Sequence, residues 1–200
     1  MYSNNRTYLF LLLLFASILA SAQDQSVDRT TFRLVGEIGG GYSYKLTPPK
    51  IILGNSTRDG ITGTFRVKWG SSNLLGVGVE TGYIPISTMA MNSLASEFGS
   101  VDVSASLSAI PVLAIFTIQR LGIQMHTGIG YYRMTAKATV MGKTMESSEW
   151  NMGYMLSFGF TRPLTSDLFI GTELKWNNIV EQRISILSLQ VRFLYFLYGK

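Results

Sequence analysis

Apolar and polar residues alternate with period two from Thr31 almost to the end of the chain, in segments of roughly ten residues broken by turn-forming stretches. In the first segment, Thr31 to Tyr44, Phe32, Leu34, Ile38, Tyr42 and Tyr44 share one face, opposite Arg33, Glu37, Gly39, Gly41 and Ser43. In the second, Ile61, Phe65, Val67 and Trp69 oppose Thr62, Thr64, Arg66 and Lys68. In the third, Leu75, Val77, Val79 and Tyr83 oppose Gly76, Gly78, Glu80 and Gly82. The pattern recurs over 123–131, 150–160, 168–176 and 187–195, so that Gln124, His126, Glu173, Lys175 and Arg192 fall on the polar side. The fourth segment, Val101 to Gln119, is long, and its phase shifts near Ala109 to Pro111, which predicts a β-bulge. The chain therefore reads as all-β with about eight strands.

The breaks alternate in length. Gly70 to Asn73, the Arg120-Leu121 corner and Pro163 to Asp167 are tight. Lys45 to Gly60, Pro85 to Ser100 and Ala136 to Glu149 are long, and Asn177 to Arg183 is intermediate. Thr135 to Glu149 still carries a β pattern with Gly142-Lys143 as its turn, which predicts a hairpin longer than the rest.

Alternation alone does not say which face points inward, because a soluble eight-stranded ligand carrier alternates too. Packing separates the two. The apolar face carries most of the Phe, Tyr, Trp and Leu, and the other is largely Gly, Ser and Thr with a few charges. An eight-stranded barrel is only wide enough for side chains to fill. Several bulky groups from every strand would overpack it, whereas small residues and a few long charged ones fit. Only 14% of residues are charged, 46% are hydrophobic and the mean hydropathy is +0.22, as a surface facing lipid requires. The expectation is an eight-stranded antiparallel up-and-down transmembrane β-barrel, closed because open edges are unpaired in lipid. Aromatics fall at strand ends in two levels: Tyr44, Tyr83, Tyr131, Trp150 and Trp176 at one, Phe32, Trp69, Phe160 and Tyr195 at the other. Two interfacial girdles would be placed so.

Ahead of the barrel, Arg6 precedes an apolar run from Tyr8 to Leu19, and Ala20-Ser21-Ala22 gives a small-x-small cleavage pattern. The run is short for a membrane span. Residues 1–22 are expected to be a cleaved signal peptide and 23–200 the barrel domain. The formal charge of +5 falls to +4 on losing Arg6. Basic residues are scattered singly, without a run or a basic helix face, so nucleic acid is not an expected partner. There is no Cys, which excludes disulfides, thiolate metal sites, a Cys nucleophile and a lipoprotein anchor. One histidine, His126, excludes a multi-His metal site, and no cofactor is implied.

With these features the chain resembles the small outer-membrane β-barrel proteins of Gram-negative bacteria, the group that includes the OmpX-like proteins and the membrane domain of OmpA. The resemblance is one of pattern and covers nearly all of the chain after residue 22. It implies a bacterial outer-membrane location, outer-membrane lipid as surroundings, contact with the barrel-insertion machinery during assembly, short periplasmic turns and both termini in the periplasm. Leu187 to Tyr198 is similar to the aromatic-rich assembly signal of that group, departing from it in that Gly199 and Lys200 follow the last aromatic. No C-terminal peptidoglycan-binding domain is expected.

The chemistry-bearing constellation is the polar-face charge set: Glu37, Glu80 and Glu173 with Arg66, Lys68, Lys175 and Arg192. Charges in so narrow a lumen must pair. Pairing Gly70 with Leu74 across the first tight turn predicts Arg66 opposite Gly78 with Glu80 diagonal to it, and strand closure sets Glu37 beside Arg192. The set is either a gated ion path or a salt-bridged plug. Some small outer-membrane barrels modify lipid A with a His and a Ser, but here Thr127 and Gly128 follow His126, which falls in the periplasmic half. No metal-ligand spacing or phosphate loop is present, and Gly36 to Gly41 opens no helix. The leading expectation is a non-enzymatic outer-membrane protein with a structural, envelope-integrity or surface-interaction role through its external loops. A narrow porin-like channel is the alternative, and a lipid A-modifying enzyme is less supported. Apolar groups in the long loops, Ile51, Ile52, Met89 and Met91, suggest an external protein or lipid ligand.

Overall fold

In the computed structural model the described residues are 33–47, 55–70, 75–96, 99–120, 122–140 and 143–198. The signal-peptide expectation and Phe32 lie outside them. Among the described residues nine strands follow one another: β1 (Arg33–Lys45), β2 (Asn55–Thr57), β3 (Asp59–Gly70), β4 (Leu75–Ser96), β5 (Gly99–Arg120), β6 (Ile123–Val140), β7 (Lys143–Pro163), β8 (Leu168–Ile179) and β9 (Ile184–Tyr198). The three-residue β2 pairs with Thr88–Ala90 of β4 and leads into β3. The other eight form the wall. Each pairs antiparallel with its chain neighbours, and β1 pairs with β9 to close the ring. Among the described residues no helix is long and apolar enough to cross a membrane.

Closure leaves no open edge around the barrel ring itself, which is what allows an apolar exterior. Burial alternates along each strand: in β7, residues 151, 153, 155, 157, 159 and 161 are buried while their neighbours are exposed. The exposed set is bulky and apolar, including Ile129, Leu156, Phe158, Leu189 and Phe193. The short connections are tight. Between β5 and β6 Gly122 has φ +82°, a left-handed conformation suited to glycine, and its carbonyl accepts a hydrogen bond from the Thr161 amide at 2.7 Å.

Strand length divides the wall. β1, β3, β8 and β9 have 13, 12, 12 and 15 residues, while β4, β5, β6 and β7 have 22, 22, 18 and 21. A membrane crossing needs only about 9–11. The four long strands thus continue together as a sheet at the end of the barrel opposite the short turns. Pro85 to Ser100, expected as a loop, is instead mostly strand. Pro85 is tolerated because β3–β4 pairing reaches only Gly63↔Tyr83, so Pro85 needs no ladder donor toward β3.

The predicted bulge also moves. β5 pairs with β6 without interruption through Ala109↔Met134, Ile110↔Arg133 and Pro111↔Tyr132, and its odd-numbered residues face inward throughout. The irregularities lie on β4, between Pro85 and Ser87 and between Met91 and Leu94. The pattern of β5 misleads because its outer face turns from Ser104 and Ser106 to Ile110, Val112 and Phe116 while its phase stays constant.

Candidate functional site

The interior has two halves. Toward the short turns, inward positions bring together Glu37 of β1, Arg66 and Lys68 of β3, Glu80 of β4, Glu173 and Lys175 of β8 and Arg192 of β9, all buried. Arg66 is the hub. Its Nη1 lies 2.8 Å from Glu37 Oε2, its Nε 2.8 Å from Glu80 Oε2, and its Nη2 3.1 Å from Glu173 Oε1. Lys175 Nζ donates to Glu80 Oε1 at 2.7 Å and to Thr64 Oγ1 at 2.9 Å. Lys68 Nζ pairs with Glu37 Oε1. Arg192 Nη1 donates to Glu37 Oε2 at 3.0 Å. Its Nε stands 3.2 Å from Glu173 Oε2, close enough for attraction but not aligned for a hydrogen bond.

The register behind these contacts differs from the sequence expectation. Arg66 is directly opposite Glu80, not Gly78, because the first turn is wider and sets Trp69 opposite Val77. Across the closure Arg192 is opposite Gly39 and Leu194 opposite Glu37, so the Glu37–Arg192 pair is diagonal. Glycine supplies the space. A Cβ on Gly159 would stand 2.5 Å from Arg192 Nη2, and one on Gly39 3.1 Å from Arg192 Cγ.

His126 lies beside this cluster. Arg192 Nη1 is 3.2 Å from its Nε2, and Thr117 Oγ1 is 2.8 Å from its Nδ1. A guanidinium only donates, so Nε2 accepts and the proton sits on Nδ1, directed at Thr117. Ser157 is opposite His126 across β6–β7, but its buried Oγ makes no hydrogen bond among the described residues. With both ring nitrogens engaged elsewhere, the two do not form a nucleophile–base pair. Among the described residues no group of three or more acidic or histidine side chains is placed to hold a metal ion.

Toward the long strands the interior turns apolar. Ile84 and Ile86 of β4, Leu113 of β5, Met155 of β7, and Ile179 and Ile186 of β8 and β9 belong to one buried cluster. Tyr132 sits among them and donates to Asn177 Oδ1 at 3.1 Å. The sequence reading missed this layer. Counting in twos from Glu80 reaches Ile84 and Ile86, and from His126 reaches Tyr132 and Met134, so the signal was parity rather than polarity.

Of the aromatics expected at the rims, Tyr44, Tyr83, Tyr131, Trp150, Trp69, Phe160 and Tyr195 have exposed side chains on the outer face. Trp176 is half-buried, donates to Ser185 Oγ at 3.1 Å and packs edge-on to Tyr154.

An exterior of bulky apolar groups around a charged, hydrogen-bonded interior is the inverse of a soluble barrel. The chain superposes on the crystal structure of a major outer membrane protein from Thermus thermophilus, with a TM-score of 0.55, 12% identity, and coverage of 83% of this chain and 99% of that one. The fold is that of the small outer-membrane β-barrels. Other solved barrels match this chain more loosely. Ail, the attachment invasion locus protein of Yersinia pestis, has a TM-score of 0.48 and 13% identity over 82% of this chain and 98% of its own. Neisserial surface protein A has a TM-score of 0.48 and 11% identity over 82% and 96%. No family model matches the sequence, and no curated protein matches it.

Proposed function

We propose that this chain is a non-enzymatic outer-membrane barrel, with both termini in the periplasm, that acts through the sheet it raises above the outer surface rather than through its lumen. The observation that carries the reading is the continuation of β4 to β7. Pairing between β6 and β7 runs out to Val140↔Lys143, roughly 10 residues beyond where β8 leaves β7 at Gly153, or about 30 Å at strand rise. There every residue from Lys143 to Trp150 is exposed. On the side away from β6, Lys143 to Asn151 has no strand partner among the described residues. Such an edge offers backbone donors and acceptors to an extended partner segment.

The alternative, a porin-like conduit, has against it an interior blocked twice, by the ion-paired cluster and by the apolar layer. A lipid-modifying enzyme has against it the engagement of both nitrogens of His126.

The chain has no cysteine, so Ser147→Cys creates a unique label site. On intact cells it should react with a membrane-impermeant maleimide; labelling only after the envelope is broken would invert the orientation. Replacing residues 137–146 by an Asn-Gly turn should leave the barrel's boiling-dependent gel shift unchanged and remove any cell adhesion gained on expression. Adhesion equal to the parent's would sink the surface reading, as would steady conductance in planar bilayers.

A further inference from the structure

The short-turn end of the barrel opens into a cavity of about 520 Å3, within the range of small-ligand sites. Its walls include Val35, Phe169, Leu194 and Phe196, and its inner end is polar, with Lys68, Thr117 and Gln124. Nothing in the outer-surface reading uses this space.

Among the described residues the charges around it do not balance. The buried cluster holds four cations, Arg66, Lys68, Lys175 and Arg192, and three carboxylates, Glu37, Glu80 and Glu173. The deficit falls on Glu37, which serves Lys68 with one oxygen and both Arg66 and Arg192 with the other. Of these seven residues Lys68 alone borders the cavity. At its rim Arg33 and Asp167 carry opposite charges and add nothing net. A surplus positive charge in a confined, low-dielectric interior is costly without a partner.

Two donors line the same cavity. The Lys68 ammonium has three N–H groups, of which Glu37 engages one oxygen's worth. Thr117 Oγ1 receives the proton of His126 Nδ1, which leaves its own O–H to donate.

We infer that the cavity binds a carboxylate-headed amphiphile, a medium-chain fatty-acid anion, with its head at Lys68 and Thr117 and its chain along Val35, Phe169 and Leu194. The surplus charge selects an anion over a neutral lipid. The apolar walls select a chain over an inorganic ion.

The test uses the refolded chain in phosphatidylcholine nanodiscs, titrated calorimetrically with octanoate, with the heat from empty nanodiscs subtracted. Saturable binding at one site is expected, about tenfold or more tighter than that of octanol. Lys68→Met leaves three cations for three carboxylates and should weaken octanoate by about tenfold, while Lys68→Arg should retain it. Gly76→Leu fills the cavity without touching the charges. A Cβ there meets only ordinary contacts, 3.4 Å from the Trp69 carbonyl oxygen and 3.9 Å from Thr117 Cβ, so this variant should fold and lose binding. Folding of each is checked by the boiling-dependent gel shift, and should Lys68→Met fail it, Gly76→Leu and the octanol comparison still decide. Heat no greater than from empty nanodiscs, octanol binding equal to octanoate, or unchanged binding in Gly76→Leu would each overturn the proposal. Inorganic phosphate binding as tightly as octanoate would overturn the amphiphile and leave a simple anion site.

Discussion

The two halves of the interior are equally buried but are held by different physics. In the charged half, side chains from β1, β3, β4, β8 and β9 meet at defined atoms, and Arg66 alone reaches three carboxylates. In the apolar half, Ile86, Leu113, Met155, Ile179 and Ile186 fill space with no direction required. The difference shows in what a strand slip would do. Moving β3 by one residue against its neighbours would turn Arg66 and Lys68 into lipid, at a cost of about 2–4 kcal/mol each near the midplane. The same slip of β9 would expose Ile186 to lipid at almost no cost, although it would also move Arg192. Ion pairs therefore fix register in this barrel, and the apolar layer closes it.

Glu37→Gln should break the charged half hardest, because it leaves four cations with two carboxylates. A loss of about 3–5 kcal/mol is expected in urea unfolding from micelles. Adding Lys68→Met should recover at least ~1 kcal/mol by restoring balance. A double variant weaker than the single would show that contacts, not charge balance, hold this half. Ile186→Ala should break the other half through a cavity, costing about 2–4 kcal/mol. Its effect should be independent of salt and unaltered in the Glu37→Gln background. Strong coupling between the two sites would end the distinction.

The eight-strand wall and the inward position of the charges were legible because alternation survives wherever one face is polar. Residues 62–68 and 171–175 show it directly. Three features were hidden. Register depends on turn width, and the sequence does not state that Trp69 faces Val77 rather than a nearer residue; a tight turn would put Arg66 opposite Gly78 instead of Glu80. The apolar layer was hidden because around Val112 to Phe116 both faces are apolar, one toward lipid and one toward the lumen, and period two vanishes from the pattern. The length of β4 was hidden by Pro85, a residue that ends a central strand but not one lacking a neighbour on that side.

The smallest expected effect sharpens the comparison from outside the barrel. Lys137 and Glu146 face each other across β6–β7 in the raised sheet, with Nζ 3.2 Å from Oε2 and both side chains about half exposed. The groups and separation are those of the interior pairs; only the solvent differs. In water the desolvation penalty is small, and so is the gain, because the dielectric and mobile ions screen the attraction. Lys137→Ala should therefore cost no more than about 0.5–1 kcal/mol at low salt, and the difference should fade near ~0.5 M salt. Glu37→Gln, measured over the same salt range, should keep most of its loss, because Glu37 is buried among its partners and mobile ions screen it little. A Lys137→Ala loss as large and as salt-resistant as that of Glu37→Gln would mean that burial is not what gives the interior pairs their weight.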